Sequence, residues 1–528
     1  MLQPIQWAKH STSGEQAEAD GSRLLNFYAI RPASPTTDQK TPVILYGTPG
    51  LKTWLNLPAV PSPPTSLDAV DAVYAVRVID SPSLGVFVVG ITGQFHLFWK
   101  RLDTINSSGR YMPYLNDQAD LARVFPSERA QFTGEDAERA QGPVQMADDG
   151  RYVMVVTKDT VKMLDLKAAA EGGTNKVLSQ IQAPTPDDAN ATLPDEEWVG
   201  CAWVDGYFFL LSRAGQIFHS TLNTIEFDQL EFNYASSKPD EGVGLVAHER
   251  LLYVFGSRSV EIWRNIGALP FAFRRVDEKA LEIGCAAAAT IQALDIAGVF
   301  MLGSNGIVYL INNFKYVRMS TESVEADIAK SDLAKARAFS YIEQGHHFYS
   351  LTLDIGGAKK NWTLDVGTRL WHERTVTDVL AVANYENLTI AGRDGDRNLH
   401  EMALRWGTVD DAAVEREAVA PVMHASQRRA TVSSLQLDIP QSDPVDRTKP
   451  AYATVPAHDE RVKMAYSDDV GETWAAVGDP AGKQLTSVRH KWNRGGQFRG
   501  GRNYRIQISA VRPVTVLGAY AEVEHSTD

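Results

Sequence analysis

The amino-acid sequence predicts an all-β protein whose larger part is a β-propeller. Short alternating apolar runs, rich in Val, Ile, Phe, Tyr and Trp, are separated by Gly, Asp and Asn turns, which is the pattern of strands rather than of helices. The runs recur as strand–turn–strand units with a period of about 40–60 residues, as propeller blades do. Hydrophobic residues make up 44% of the 528 residues, so the chain has enough apolar material for a large core.

The repeat places the propeller at residues 65–405. We expect six blades, with seven as the alternative. A large β-sandwich with irregular hairpins is the competing fold for this region. Glycines stand at four of the predicted hairpin turns, where a positive φ is favoured: Gly93, Gly215, Gly306 and Gly395.

Three insertions interrupt the repeat. Residues 114–141 predict a polar loop with a short helix, and residues 171–197, rich in Pro, Asp and Thr, predict a surface loop. Residues 321–338 predict an amphipathic helix. Its apolar side consists of Val324, Ile328 and Leu333. Its candidate N-cap is Ser320 or Thr321.

Two further segments flank the propeller. Residues 1–64 predict an extended, Pro-rich N-terminal segment, in which Thr48, Pro49 and Gly50 form a type II turn signature. Residues 406–528 carry about five strand patterns and predict a C-terminal β-sandwich.

Composition and charge exclude several classes of protein. The net charge of −13 argues against a general nucleic-acid coat, which would be basic overall. The two cysteines, Cys201 and Cys285, lie in apolar surroundings and are expected to be buried, so a disulfide framework and a Cys-rich zinc site are excluded. The N-terminus lacks the apolar region of a secretory signal, and no stretch approaches the roughly 18 apolar residues of a membrane-spanning helix. We therefore expect no membrane partner.

The search for catalytic motifs is negative. The sequence contains no HExxH, EF-hand loop, GxSxG or phosphate-binding loop, and no GxGxxG after a strand. The adjacent pair His346 and His347 suggests a metal site, but neighbouring residues of a strand point to opposite faces and do not easily bind one ion together. We expect no enzymatic activity, no cofactor and no metal.

One motif offers an alternative function. Residues 467–474 (SDDVGETW) fit the Asp-box pattern, in which Ser467 and Asp469 bond the amides of a hairpin turn and Trp474 packs beneath it. Asp boxes recur in sialidases, which are propellers, so the alternative is a sialidase-like glycosidase acting on host-surface polysaccharide. A glycosidase needs paired carboxyl groups in its cleft, and no spacing in the sequence identifies such a pair. The box also lies outside the predicted propeller.

Charge is distributed unevenly along the chain. Residues 481–520 contain eight Lys and Arg and no Asp or Glu, so this segment carries +8 and the rest of the chain −21. Its centre interleaves basic residues with Trp492, Phe498 and Tyr504. A solvated face paired with acids, a protein–protein interface and a DNA contact all remain open. The candidate interface or channel cluster consists of Arg489, Lys491, Arg494, Arg499, Arg502 and Arg505.

Residues 320–374 carry three spaced motifs that resemble one protein family. The motif residues are Ser320, Thr321, Val324 and Glu325; then Gln344, Gly345, His346, Phe348, Tyr349, Leu351 and Thr352; then Trp362, Asp365, Thr368, Trp371, His372, Glu373 and Arg374. They resemble the packaged-DNA stabilisation proteins, also called tail-nozzle proteins, of short-tailed bacteriophages, which often have Glu where this chain has Gln344. Further stretches are similar to the same family in the same order: Asn26, Tyr28 and residues 45–51, then residues 257–275, then residues 490–524. Before residue 240 the propeller units match only in pattern.

The resemblance implies a structural virion protein of the phage tail, assembled in the host cytoplasm. It implies a homohexameric ring at the distal end of the portal and its tail adaptor protein. Tailspikes or tail fibres and a tail needle or plug would attach to this ring. Packaged double-stranded DNA would be retained behind it and would leave through it, with transient, non-specific contact. A soluble interaction propeller of cellular origin is the third hypothesis.

Overall fold

The computed structural model describes residues 2–5, 7, 21–30, 43–56, 72–92, 97–102, 104–105, 111–112, 144–157, 160–170, 177–178, 197–235, 240–276, 280–440, 455 and 457–525. Nearly all regular structure in these ranges is β-strand, so the chain is all-β, as the sequence predicts. The same ranges contain two short helices, Leu166–Ala170 and Glu322–Ala329, and two 3₁₀ turns, Ala288–Thr290 and Leu333–Lys335. Neither of these helices has the length and apolar character needed to span a bilayer.

Five strands come from the N-terminal segment. They are β1 (Leu2–Pro4), β2 (Arg23–Leu25), β3 (Phe27–Ile30), β4 (Ile44–Gly47) and β5 (Gly50–Leu55).

Antiparallel sheets then follow one another along the chain, and we number them one to seven. Sheet one contains β6 (Val73–Ser81), β7 (Gly85–Thr92) and β8 (Leu97–Leu102), and the short pair β9 (Thr104–Ile105) and β10 (Tyr111–Met112) follows it. Sheet two contains β11 (Gln145–Asp148), β12 (Tyr152–Thr157), β13 (Thr160–Asp165) and β14 (Val177–Leu178). Sheet three contains β15 (Trp198–Val204), β16 (Tyr207–Ser212), β17 (Gln216–Ser220) and β18 (Phe227–Tyr234). Sheet four contains β19 (Gly242–His248), β20 (Leu251–Gly256), β21 (Val260–Asn265) and β22 (Phe273–Arg275).

The last three sheets have the same up-and-down order. Sheet five contains β23 (Gln292–Leu294), β24 (Gly298–Leu302), β25 (Val308–Asn312) and β26 (Lys315–Arg318). Sheet six contains β27 (Arg337–Glu343), β28 (His346–Ile355), β29 (Ala358–Asp365) and β30 (Leu370–Arg374). Sheet seven contains β31 (Val379–Tyr385), β32 (Leu388–Arg393) and β33 (Asp396–Ala403), and its fourth strand is the N-terminal β5.

The seven sheets are arranged in a circle. The first strand of each sheet contacts the first strand of the next, from β6 through β11, β15, β19, β23, β27 and β31, and β31 contacts β6 again. A separate cluster of buried apolar residues lies between every neighbouring pair of sheets, including the pair formed by sheets seven and one. Each sheet therefore buries both faces against its neighbours, as the blades of a β-propeller do.

The predicted repeat can be compared with these sheets. The sequence predicts six units with seven as the alternative, and between residues 72 and 403 the described strands form the seven up-and-down units numbered above. The unit that departs from the turn pattern is sheet six, whose β28–β29 turn is Gly356–Gly357. Gly215, Gly306 and Gly395 have positive φ in their hairpin turns. Gly93 lies outside the described residues, as does the whole insertion 114–141 and all of 171–197 except 177–178 and 197.

The helix predicted over 321–338 is shorter than expected. It ends at Ala329, and the chain then forms the 3₁₀ turn that starts after Asp332, whose carboxylate accepts from the amide of Ala334 at 3.1 Å. Val324 and Ile328 are buried as predicted. Thr321 is the N-cap by its backbone conformation but makes no side-chain cap bond.

The C-terminal part contains nine strands. They are β34 (Thr408–Val409), β35 (Ala412–Val419), β36 (Met423–Asp438), β37 (Arg461–Ser467), β38 (Ala475–Ala476), β39 (Lys483–Gln484), β40 (Arg489–Ala510), β41 (Thr515–Val516) and β42 (Gly518–His525), counted over the described residues.

Strand β40 belongs to two sheets of this C-terminal part. Its first half pairs with β36, and β42 and β1 extend that sheet. Its second half pairs with β35 and β37, and β2 extends that sheet. One hydrophobic core lies between the two sheets. The two sheets are joined through this shared strand, and the expected β-sandwich stays a prediction.

The N-terminal segment is extended, as predicted, but its described residues do not form a separate unit. Strands β1 and β2 lie at the edges of the two C-terminal sheets, β3 and β4 pair with β41, and β5 completes sheet seven. Gly50 is the first residue of β5 and does not have the positive φ of the predicted type II turn. It lies against the backbone of Trp406 and Thr408, where a Cβ would be 2.3 and 2.2 Å from their carbonyl oxygens. The segment therefore connects the circle of sheets to the C-terminal part.

Candidate functional site

The basic segment predicted from the sequence forms the first half of β40. Residues 489–501 pair with β36 on one edge, and the second partner of the strand begins only at Asn503. Even-numbered side chains such as His490, Trp492 and Phe498 are buried. A bulge interrupts the alternation where Arg494 and Gly495 oppose the single residue Ser433, and Arg494 has a φ of 64°.

Four of the six predicted basic residues are exposed on this strand: Arg489, Lys491, Arg494 and Arg499. The guanidinium of Arg489 donates to Asp438 at 3.3 Å. Within the described residues the other three make no ion pair, so most of this charge is open to a partner.

Two arginines that the sequence interpretation missed extend this surface. Arg429 on β36 is the direct cross-strand partner of Arg499, and Arg428 is exposed beside it. Like charges that face each other across a strand pair repel, so this arrangement favours an anionic partner. The only signal of this cluster in the sequence is the dibasic pair 428–429, because Arg429 and Arg499 are 70 residues apart along the chain. We call Arg428, Arg429, Arg494 and Arg499 the basic surface.

Arg502 does not belong to the basic surface. Its side chain is buried and donates two hydrogen bonds of 2.6 Å to the carboxylate of Asp468. It also donates to the carbonyl oxygens of Gly495 and Gln497, and its guanidinium lies 4.0 Å from the ring centroid of Tyr466. Arg502 therefore holds the bulged part of β40 in place and is satisfied internally.

Arg505 is also separated from the basic surface. Its guanidinium lies over the ring of Trp474 at 4.3 Å and within 3.8 Å of the carboxylate of Glu417. Burial lowers its pKa from the ordinary value. The six predicted residues therefore form an exposed group of four and two partly or fully buried structural arginines.

The Asp box forms the hairpin turn that its pattern predicts. The amide of Gly471 donates to the hydroxyl of Ser467 at 2.8 Å, and the amide of Thr473 donates to Asp469 at 2.9 Å. The hydroxyls of Ser467 and Thr473, and the amide of Thr473, bond the carboxylate and lower the pKa of Asp469 to about 2. Trp474 packs against Arg505. These contacts account for Ser467, Asp469 and Thr473 as parts of a turn.

The motif Trp371–Arg374 lies where three parts of the chain meet. The indole of Trp371 donates to the carbonyl oxygen of Met319 at 2.8 Å. Arg374 is buried and donates to the carbonyl oxygen of Pro49 at 2.9 Å. His372 is fully buried, and burial followed by the charge of Arg374 lowers its pKa to about 3, so it is neutral.

Glu373 connects the propeller sheets to the N-terminal and C-terminal strands. Arg23 on β2 donates to its carboxylate at 3.2 and 3.0 Å, and the ammonium of Lys360 lies 3.8 Å away. Arg23 also reaches Glu417 on β35 at 3.3 Å. The last family motif therefore forms an ionic and hydrogen-bonded junction around the buried carboxylate of Glu373.

One group of side chains has the composition of a metal site. One ligand atom each of Asp396, His400 and Asp410 lies within 4.8 Å of the others. The guanidinium of Arg393 already donates to both oxygens of Asp410, at 2.6 and 2.7 Å, and to Asp378. His400 bonds Asp396 at 2.9 Å, so each carboxylate of the group already has a partner, and the arrangement is explained as a network of ion pairs and hydrogen bonds. His346, which was weighed as a ligand, instead bonds Asp365 at 2.9 Å.

Comparison with known families gives one match. The model of the family described as "Bacteriophage P22 Gp10, beta-propeller" matches residues 134–358, which is less than half of the chain. The matched part runs from sheet two into sheet six. No curated protein sequence matches the chain. The family match indicates a structural protein of the bacteriophage virion with a β-propeller.

Solved structures similar to the chain show only weak likeness. The structure of U3-55K has 11% identity and a TM-score of 0.36, and covers 67% of this chain and 98% of its own. The computationally designed Ika8 protein has 10% identity and a TM-score of 0.35, and the match covers 66% of this chain and 99% of the Ika8 chain. PorZ, a surface component of the type-IX secretion system of Porphyromonas gingivalis, has 11% identity and a TM-score of 0.36, with 73% and 44% covered. These TM-scores are too low to assign a fold or a function.

Proposed function

We propose that the chain is a non-enzymatic structural protein of a short-tailed phage, forming a ring at the distal end of the tail channel. The observation that carries the proposal is the match of residues 134–358 to a phage β-propeller family. The resemblance of residues 320–374 to tail-nozzle proteins continues from it, and Trp371–Arg374 of its last motif lie in the junction around Glu373. In this role the ring retains packaged DNA and binds the tail adaptor, tailspikes or fibres, and a tail needle.

The seven sheets form one closed seven-bladed propeller in this proposal. Two observations support closure within one chain: β31 contacts β6, and the N-terminal strand β5 pairs with β33 to complete sheet seven. Such closure makes a rigid scaffold, because no sheet of the ring is left with an uncovered face. A rigid scaffold suits a tail component that must keep its shape while DNA passes.

The basic surface is the proposed contact with DNA or with an acidic protein of the tail. It combines four exposed arginines with an otherwise acidic chain of charge −21 outside residues 481–520. An acidic wall lets DNA slide without adhering, and a local basic surface gives it a point of contact.

The ring and its partners can be tested with the purified full chain. We expect it to form hexamers, alone or on a portal–adaptor complex, in mass photometry at micromolar concentration. A chain that remains monomeric in the presence of that complex would contradict the proposal. An assay on sialosides and bacterial polysaccharides should show no turnover, and turnover would favour the glycosidase.

The basic surface can be tested separately in phage particles. The double variant Arg494→Glu and Arg499→Glu should lower the fraction of DNA-filled heads. The matched control is Arg264→Glu and Arg274→Glu, an exposed cross-strand arginine pair on sheet four that changes the charge equally. If the first variant gives a normal yield of particles with DNA-filled heads, the basic surface has no role in retaining DNA. That result would not affect the proposed hexameric ring.

A further inference from the structure

A cavity of about 710 Å³ lies at the centre of the circle of sheets. The residues that line it include the first or second residue of six inner strands: Tyr74, Gln145, Val199, Val243, Arg337 and Val379. Sheet five contributes the 3₁₀ turn that precedes β23, so every sheet of the circle borders the cavity. We call it the axial cavity. Its size is within the range of small-molecule sites, about 300–1,000 Å³.

Alanines keep the axial cavity open. Residues 286–289 are four consecutive alanines, and all four line it. Their side chains end at Cβ, so sheet five leaves room that larger residues would fill. The four alanines follow Cys285 directly, so the apolar surroundings of this cysteine also form part of the cavity wall.

Most charges around the axial cavity are paired with each other. Arg213 donates to Glu197 at 2.7 Å, and the ammonium of Lys359 lies 2.6 Å from Asp394. These two pairs join different segments at the rim and balance their own charge. Asp354 also lines the cavity, and its carboxylate accepts from the amide of Gly357 at 2.9 Å.

Arg337 is the exception. It is partly buried at the start of β27, and within the described residues its guanidinium has no ion pair and no side-chain hydrogen bond. Tyr74 of sheet one and Lys359 line the same cavity as Arg337. A partly buried guanidinium without a carboxylate partner can form charge-assisted hydrogen bonds to an anion that enters the cavity.

We propose that the axial cavity binds a small oxyanion, a carboxylate or a phosphate, at the guanidinium of Arg337. The planar guanidinium offers two parallel N–H donors, which match two oxygens of such an anion. The surrounding alanines provide space for the anion. This site is independent of the ring and of the basic surface.

Equilibrium dialysis of the full chain with ³²P-labelled phosphate tests the site. We expect one phosphate per chain with a dissociation constant of about 1 mM or tighter. Arg337→Gln should weaken binding at least tenfold. The matched control is Arg258→Gln, an exposed arginine in the β20–β21 turn that does not line the cavity, and it should bind as the unmodified chain does.

A second variant separates loss of the cavity from loss of folding. Ala289→Leu leaves the charge unchanged and fills the space, so it should abolish binding while the melting temperature stays within a few degrees. Competition by acetate against labelled phosphate identifies whether a carboxylate or a phosphate is preferred. Equal binding in Arg337→Gln and the unmodified chain, or no saturable binding at about 10 mM phosphate, overturns the proposal.

Discussion

Acid should destabilise the protein through His372, and the size of the effect follows from its burial. The side chain is 1% exposed, lies about 6 Å from the rings of Tyr28 and Phe348, and has an Nε2 without a partner among the described residues. Its folded-state pKa of about 3 is lower than the unfolded value of 6.5. A base with a lowered folded-state pKa stabilises fully above the unfolded value, and this stability is lost as the pH falls toward the folded value.

The loss expected from His372 can be calculated at pH 5.5, one unit below the unfolded pKa of histidine. At pH 5.5 the unfolded imidazole binds a proton about ten times more often than not, while the folded one stays neutral. The free energy of unfolding should therefore fall by about 1.4 kcal/mol between pH 7.5 and 5.5 through this residue alone. Burial also lowers the pKa of His219, His400 and His490, so the whole chain should lose more than this amount.

The variant His372→Phe isolates the contribution of this one residue. Phenylalanine keeps an aromatic ring in the site and cannot bind a proton. Urea unfolding followed by tryptophan fluorescence should show a pH-dependent loss that is smaller by about 1.4 kcal/mol in the variant. The same loss in both proteins, or an NMR titration in which His372 gains a proton near pH 6, would refute the reasoning.

Three substitutions test other parts of the structure. Glu373→Ala should lower the free energy of unfolding by about 1–2 kcal/mol, because the partly exposed Arg23 then keeps Glu417 alone as its carboxylate partner among the described residues, and a double-mutant cycle with Arg23→Met should recover part of this. Arg416→Met should be neutral or stabilising by about 1 kcal/mol in thermal unfolding. Burial lowers the pKa of this arginine to about 10, and among the described residues it bonds only the carbonyl oxygens of Val414 and Ala510 through Nη1 and has an Nε without a partner. Gly50→Ala should cost about 3 kcal/mol or more, because its Cβ would meet the carbonyl oxygen of Thr408 at 2.2 Å, and limited proteolysis should then cut near β5 faster.

The sequence predicts the sheets well because their signals are local. An up-and-down sheet needs only alternating apolar residues and turn residues that accept a positive φ, such as Gly215 and Gly306. Both signals lie within a few residues of each other, so each unit could be recognised by itself. The closure of sheet seven could not be recognised, because β5 pairs with a strand about 350 residues away and nothing near residue 50 identifies it.

The direction of the arginine side chains on β40 follows only partly from the sequence. A period of two places Arg502 on the same side of β40 as Trp492, Phe498 and Tyr504, all of which are buried. Alternation alone would thus have separated it from the exposed arginines. Arg494 is the opposite case, because its even number predicts burial and only the bulge turns it outward. Counting basic residues identified the segment, but the direction of each side chain determines what it can bind.

The junction around Glu373 explains why four consecutive residues of sheet six can matter together. Trp371 and Arg374 bond carbonyl oxygens on opposite sides of β30, from the chain before the helix and from the N-terminal turn. Glu373 and Arg23 then extend the contact to Glu417 on β35. A rotation of the C-terminal sheets against the propeller would have to break the pair of Arg23 and Glu373. Breaking an ion pair whose carboxylate is buried costs more free energy than breaking a surface pair. Force that a partner applies to the C-terminal strands should therefore move the propeller as one body rather than bend the connection between them.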